Sequence, residues 1–366
     1  MKKLVFIMSG LGNPNDVKRI EEAAASKIDV EVYAFGGRRE GLKDPEGVTV
    51  KILDGFSSDI PYWKRIGILR KGIKSILSNY KEGECIYYLF RSDVALSFTL
   101  LSKEDYIFEE ADMIHANFGN VIIRNLFEAS IKKIIRKSVF SVFRSEGFIQ
   151  YHFGKNRPKN VFAIPNRLHP DVLKLQNEKK EPFDKSNIRF GFVGSIRYDT
   201  IYNFAKTVLT QFPQHEFHFF GQFLEKKQED KFRALEKYEK CVFHGAFSSP
   251  QDLPEIYKSI DIVLAAYDVT VINPRYAEPN KLYEAIYFNT PIVVSSRSFL
   301  ADKVKKLGVG YDVDALNNDE VAKLVTSIDN ESYRKLLDHI EDIDKMECIN
   351  DNSSFFKRLK EKLSEV

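Results

Sequence analysis

With 366 residues the chain is too long for one simple core, so two domains are expected. Its 43% hydrophobic and 29% charged residues are ordinary for a globular protein, and no run approaches the roughly eighteen apolar residues of a membrane span. The net charge of +3 is uneven: Met1 to Asn166 carries 26 Lys and Arg against 20 Asp and Glu, and the remainder 29 against 32, which points to an anionic partner for the first half.

Met1-Lys2-Lys3 followed by Leu4–Met8 has too short an apolar run for a secretory signal, so Lys3–Met8 is read as a first strand. Ser9-Gly10-Leu11-Gly12-Asn13-Pro14 is a turn-rich loop after it. Asn15 or Asp16 is expected to cap the next helix, and Asp29–Phe35 to form the second strand. Gly10-x-Gly12 lacks the third glycine and the acid of a dinucleotide fingerprint, which disfavours a Rossmann oxidoreductase. Those glycines make either a tight turn or a substrate-facing loop in a cleft.

Pro61–Leu77 reads as a basic amphipathic helix. Ile66, Leu69, Ile73, Ile76 and Leu77 share a stripe, and Lys64, Arg65, Lys71 and Lys74 occupy much of the rest. The helix either packs on a sheet with a solvated basic face or touches an anionic membrane surface, where each basic residue adds about 1 kcal/mol. Nothing in it resembles a nucleic-acid module. Ile86–Phe90 and Tyr106–Glu110 follow as strands, separated by a helix that Asp93 can cap. The second leads into Glu109-Glu110-Ala111-Asp112-Met113-Ile114-His115, a titratable cluster at a strand end. A helix over Asn120–Lys137, a strand over Ser138–Phe143, a helix from Ser145 and a strand over Asn160–Ile164 complete the first half.

The polar stretch from Arg167 to Ser186 reads as a linker. A second alternating set follows: strands Ile188–Val193, Glu216–Phe220, Val242–Phe243, Asp261–Ala266 and Pro291–Ser295, with helices between them. Ser353–Leu363 is a helix striped by Phe355, Phe356 and Leu359, expected to return to the first domain. The fold class is therefore α/β with two Rossmann-like halves.

Glu278-Pro279-Asn280-Lys281-Leu282-Tyr283-Glu284-Ala285-Ile286 lies between two of these strands. Pro279 is expected to open a helix whose N–H groups at Asn280, Lys281 and Leu282 have no intrahelical partners and face an anion. Lys281 and Glu284 lie about 60° apart on that helix. One helix start thus supplies N–H groups and a cation for a diphosphate, and a carboxylate for two ribose hydroxyls.

Metal and disulfide chemistry find little support. Asp312-x-Asp314 follows a turn where helix capping is the expected role, and His215 and His218 are expected on opposite faces of a strand. No Cys/His cluster has zinc spacing, and Cys85, Cys241 and Cys348 are scattered and odd in number.

The second half resembles the nucleotide-binding domain of GT-B glycosyltransferases, in particular family 4-like bacterial enzymes of capsular and surface-polysaccharide biosynthesis. The likeness rests on Phe192-Val193-Gly194-Ser195-Ile196-Arg197, Phe219-Phe220-Gly221, His244-Gly245, Leu253–Asp261, and Pro279-Asn280-Lys281-Leu282-Tyr283-Glu284-Ala285 with Thr290-Pro291-Ile292-Val293. The first half is similar at Asp93, Glu109–Asp112, Ser145-Glu146-Gly147-Phe148 and Ile164-Pro165-Asn166. The resemblance implies a GT-B fold with two facing Rossmann-like domains and a cleft between them. An acceptor-binding domain over 1–166, joined by a helix over 351–366, would be linked through 167–187 to a nucleotide-sugar domain over 188–350.

By that resemblance Glu284 holds the ribose, and Arg197 and Lys281 touch the diphosphate, beside Gly194, Asn280 and Leu282. The first Glu of the family's Glu-x7-Glu motif falls on Tyr276, a departure, with Glu278 the nearest acid. The implied activity is a retaining, metal-independent hexosyl transfer from a nucleotide-diphosphate sugar to a hydroxyl on a glycan or lipid-linked glycan. No cofactor is expected, no nucleic acid, and a cytoplasmic place on the inner membrane face with residues 61–77 against anionic lipid. If the configuration inverts, Asp112 or His115 is the candidate base. A nucleotide-sugar 2-epimerase on the same scaffold and a degenerate transferase acting as a binding partner stay open as rivals.

Overall fold

The computed structural model describes residues 1–11, 14–36, 44–55, 62–114, 119–176 and 180–365. The chain divides into one unit of Met1–Pro165 with Asp351–Val366 and a second of Asn166–Asn350.

In the first unit, runs such as Cys85-Ile86-Tyr87-Tyr88-Leu89-Phe90 are buried on both faces, as parallel strands under two helical layers must be. The strands are β1 (Lys3–Met8), β2 (Val30–Phe35), β3 (Val50–Leu53), β4 (Cys85–Phe90), β5 (Tyr106–Glu110), β6 (Phe140–Phe143) and β7 (Val161–Ala163). They form a parallel sheet in the order β3-β2-β1-β4-β5-β6-β7. The order reverses between β1 and β4, which opens a crevice beyond their carboxyl ends. Helices α1 (Pro14–Ala25), α2 (Tyr62–Leu77), α3 (Ser92–Thr99), α4 (Val121–Lys137) and α5 (Glu146–Phe153) connect the strands. The last helix, Ser353–Ser364, sends Phe355, Phe356, Leu359 and Leu363 into the core of this unit with Leu4, Phe6, Ile20 and Val32.

The second unit repeats the plan with β8 (Arg189–Val193), β9 (Glu216–Phe220), β10 (Cys241–Gly245), β11 (Ile262–Ala265), β12 (Ile292–Ser295) and β13 (Gly310–Val313). Its parallel order is β10-β9-β8-β11-β12-β13, with the switch between β8 and β11. The helices are α6 (Asp199–Gln211), α7 (Lys226–Arg233), α8 (Leu253–Lys258), α9 (Ile272–Tyr276), α10 (Asn280–Tyr287), α11 (Phe299–Leu307), α12 (Asn318–Ser327) and α13 (Asn330–Glu341). Two apolar layers cover the sheet, one centred on Phe190, Phe204 and Phe217 and the other on Tyr257, Leu282 and Val294. The two halves thus form an α/β fold of paired Rossmann-like sheets. Among the described residues no helix is long and apolar enough to cross a membrane.

Several local expectations need correction. Helix α1 starts at Pro14, so Asp16 sits in its first turn and is spent on a buried pair with Arg144 rather than on a cap. Arg91, not Asp93, is the N-cap of α3, at a φ of 72°, and Asp93 accepts from the N–H of Val94 at 2.9 Å. Asp312 pairs with Lys305 and Asp314 with Arg297; the cap of α12 is Asn317, whose side chain accepts from the N–H groups of Asp319 and Glu320. The α2 stripe buries Leu69, Ile73 and Ile76 and exposes Lys64, Arg70, Lys71 and Lys74.

Within the second unit, ahead of β8, Lys180 reaches the amino edge of the sheet. Its ammonium donates to the carbonyl of Ile260 at 3.1 Å and to the Thr290 hydroxyl. Burial pulls its pKa down to about 7.

Candidate functional site

The carboxyl ends of β8 and β9 come together through two glycines. Gly194 has φ of 134° and Gly221 of 141°, and a Cβ on Gly221 would lie 1.8 Å from the carbonyl oxygen of Gly194. Only glycine fits there, because any side chain would strike backbone. The Gly194 N–H donates to the Phe220 carbonyl at 2.7 Å, and the Gly221 N–H to the Gly245 carbonyl at 2.7 Å. Above Gly194 lies the ammonium of Lys281: a Cβ at Gly194 would stand 3.0 Å from Lys281 Nζ. The loop after β8 and the first turn of α10, eighty-odd residues later, therefore converge on one point.

Pro279 is extended, with ψ of 155°, so it is the N-cap of α10 rather than its first helical residue. It offers no side-chain cap, and the Leu282 N–H donates to its carbonyl at 3.2 Å. Of the three N–H groups expected to face an anion, Leu282 is thus corrected: its N–H closes a tight first turn and its side chain is buried in the core. Those of Asn280 and Lys281 remain at the helix start. The Lys281 ammonium makes no hydrogen bond or ion pair among the described residues and lies 5.9 Å from the centre of the Phe192 ring. Burial lowers its pKa and Glu284 partly offsets that.

Glu284 is 7% exposed, and its Oε2 accepts from the Tyr257 hydroxyl at 2.7 Å. Tyr257 is itself buried and stacked on Phe288, so the carboxylate is held from beneath. Burial first, and Glu284 next, push the Tyr257 phenol far above its ordinary pKa, which keeps it a proton donor. Arg197 is exposed and lies over Tyr198 at 4.7 Å from the ring centre, with its guanidinium donating to the Tyr198 hydroxyl at 2.6 Å. Tyr198 meets Tyr267 edge-on, and burial, Tyr198 and Glu284 together raise the Tyr267 phenol.

Glu278 is placed differently. Its carboxylate is buried, with Oε1 taking donors from Lys303 and Tyr283, and Oε2 has no partner among the described residues. Arg167 lies over the Tyr283 ring. Tyr276, which stands at the first motif acid, ends the short helix α9.

In the first unit Gly10 lies two residues past β1, where a Cβ would stand 3.5 Å from the Phe35 carbonyl oxygen, while Gly12 and His115 lie outside the described residues. Asp112 is exposed just after β5. The acids before it are buried and engaged. Glu109 accepts from Arg144 at 2.8 Å, Arg19 at 3.2 Å and the Tyr88 hydroxyl at 2.5 Å, and Arg144 also grips Asp16. Burial favours a neutral Glu109, but Arg19 and Arg144 override it and hold the carboxyl below its usual range. Glu110, on the other face of the strand, meets His152 at 2.7 Å.

Sequence reasoning missed Tyr257, Tyr267 and Lys303. Tyr257 lies within the Leu253–Asp261 segment already singled out, but a tyrosine beneath a glutamate 27 positions later leaves no local spacing to read. His215 and His218 do face apart: the first packs with Phe190 and Phe212, the second meets Glu216 and His244. Among the described residues no group of three His, Cys, Asp or Glu is placed to hold a metal ion.

Residues 174–342 match the family model of glycosyl transferases group 1. No curated protein sequence matches the chain. Among solved structures, HepE of Anabaena in complex with UDP and glucose aligns over 100% of both chains, with TM-score 0.70 and 12% identity. Sucrose-phosphate synthase of Thermosynechococcus elongatus has TM-score 0.70 and 13% identity over 99% of this chain and 98% of its own. The UDP-GlcNAc 2-epimerase of Neisseria meningitidis bound to UDP-GlcNAc has TM-score 0.64 and 12% identity over 99% of each. These likenesses identify the fold as GT-B.

Proposed function

We propose that this protein is a glycosyltransferase whose second unit binds a nucleotide-diphosphate sugar. The observation that carries the reading is the meeting of Lys281 with Gly194. Among the described residues that ammonium is unpaired, and together with the first N–H groups of α10 and a glycine-lined backbone it supports a seat for a diphosphate. Glu284, steadied by Tyr257, supplies acceptors for the ribose hydroxyls. Arg197 swings from Tyr198 onto the phosphates when the donor arrives.

In the transfer, the bond between the sugar's anomeric carbon and the β-phosphate oxygen breaks, and the electron pair leaves with the phosphate. Lys281, Arg197 and the α10 start stabilise that charge. An acceptor hydroxyl bonds to the anomeric carbon and gives up its proton. In a retaining course the departing phosphate takes it; in an inverting course Asp112 or His115 does. The first course, a hexose donor and a lipid-linked glycan of surface-polysaccharide assembly as acceptor are the finer parts of the proposal. Glu278, tied to Lys303, positions the loop before α10 beside the donor sugar.

A thermal-shift panel of UDP, GDP, CMP, ADP and dTDP tests the donor site on wild type and Glu284→Ala. One nucleotide diphosphate should shift wild type alone, and about 2.7 kcal/mol of stabilisation is expected at 100 times the dissociation constant. The shift should persist in EDTA. No shift from any of the five would sink the reading. The resemblance to a 2-epimerase supports a second reading, distinguished by donor isomerisation without acceptor.

A further inference from the structure

Two histidines of the second unit meet each other at the outer edge of its sheet. His218 on β9 and His244 on β10 bring Nδ1 and Nε2 to 2.9 Å. Alternation along β9 sets Glu216, His218 and Phe220 on one face. His244 joins that face through an irregularity. Val242 stands opposite His218, but the register shifts between Phe243 and Gly245, so that Gly245 pairs with Phe220 and His244 is the extra residue. An insertion of this kind re-aims a side chain. The His244 ring lies flat on Phe220, with centres 4.1 Å apart and 5° between planes, and 5.3 Å from the His218 ring. Both imidazoles are therefore oriented by an aromatic floor rather than left loose in solvent.

The far end of His218 decides which of its nitrogens holds the proton. Glu216 Oε1 accepts from Lys240 Nζ and Asn187 Nδ2, both at 2.9 Å, and Glu216 Oε2 lies 3.0 Å from His218 Nε2. A carboxylate only accepts, so Nε2 donates, and the neutral ring keeps its lone pair on Nδ1, aimed at His244. A carboxylate behind a histidine in this way fixes the tautomer and makes the opposite nitrogen a better metal ligand. His244 is exposed, so its ring can turn and carry its proton on Nδ1, which leaves Nε2 as a second donor. Two nitrogens 2.9 Å apart and about 2.0–2.1 Å from one ion subtend about 90°, and opening them by about 0.4 Å gives a tetrahedral angle.

We propose that His218 Nδ1 and His244 Nε2 bind a late first-row divalent ion of the zinc class, with Glu216 behind His218 and water in the remaining positions. Imidazole suits zinc, nickel and copper, whereas magnesium and calcium take oxygen. Among the described residues no third His, Cys, Asp or Glu closes a set around them, so the ion is exchangeable rather than a permanent structural centre. Its effect is to clip β10, the edge strand, to β9. Gly245 follows His244, and its carbonyl accepts from the Gly221 N–H at 2.7 Å, so the clip fastens backbone that carries the glycine crossing at Gly194.

Calorimetric titration of zinc chloride into the EDTA-stripped full chain tests the proposal. Wild type should take up one zinc ion per chain in a saturable step and no magnesium. Glu216→Gln should weaken that step by about tenfold, and His244→Gln by about 100-fold. His169→Gln, which removes an exposed histidine beside Asp171, should leave it unchanged. With copper(II), electron paramagnetic resonance should show two nitrogen donors. Zinc should also raise the melting temperature of wild type but not of His244→Gln, whose fold is checked by circular dichroism. No saturable uptake by wild type, uptake or a melting shift that survives His244→Gln, or a copper spectrum with fewer than two nitrogens would overturn it.

Discussion

The two sheets treat charge at their carboxyl ends in opposite ways. In the first unit Asp16, Arg19, Glu109 and Arg144 satisfy one another under cover, with Tyr88 closing the set. In the second, Lys281 is brought to the same kind of position and left without an ion pair among the described residues, while only one oxygen of Glu284 is shown taken, by Tyr257. A closed network fixes how strands and helices meet. An open cation three residues from a half-engaged carboxylate weakens the fold slightly and leaves bonds for a ligand.

The largest test of that contrast is Glu109→Gln. Removing its charge leaves Arg19 and Arg144 buried without their shared partner, and urea unfolding should show a loss of about 3–5 kcal/mol. A loss below about 1 kcal/mol would mean that the network is less closed than its geometry. Lys281→Ala should do the reverse. Nucleotide diphosphate affinity, measured by calorimetry, should fall about 10- to 100-fold, while the melting temperature holds or rises, because a desolvated charge has been deleted.

Tyr257→Phe sharpens the comparison at smaller scale. It removes one hydrogen bond to Glu284, and affinity should fall by less than in Lys281→Ala, about two- to fivefold, with a modest stability loss. A further expected effect concerns pH. Between about 7 and the ordinary lysine value of 10.5, unfolded chains hold a proton on Lys180 that folded chains have shed. Stability should therefore rise with pH through that window, and Lys180→Met should flatten the rise in a melting series.

Much of this was legible in the sequence, for identifiable reasons. Continuous apolar runs such as Phe190–Val193 and Ile262–Ala265 are buried on both faces, so strand and parallel sheet follow together. Lys281 and Glu284 were readable because helical spacing fixes their angle and Pro279 marks the turn. Strand β3 was not, since Val50-Lys51-Ile52-Leu53 is a short, half-open edge without a strong period. Tyr257 beneath Glu284 and Lys303 against Glu278 are tertiary meetings that no local spacing encodes.

The return of helix Ser353–Ser364 to the first unit has a consequence for synthesis. The core around Leu4, Phe6 and Ile20 stays open until Phe355, Phe356, Leu359 and Leu363 have left the ribosome, whereas residues 166–350 contain every strand of their own sheet. The later unit can therefore complete its fold first, against the usual amino-to-carboxyl order. A released chain ending at residue 350 would display a finished second unit tethered to an unfinished first one.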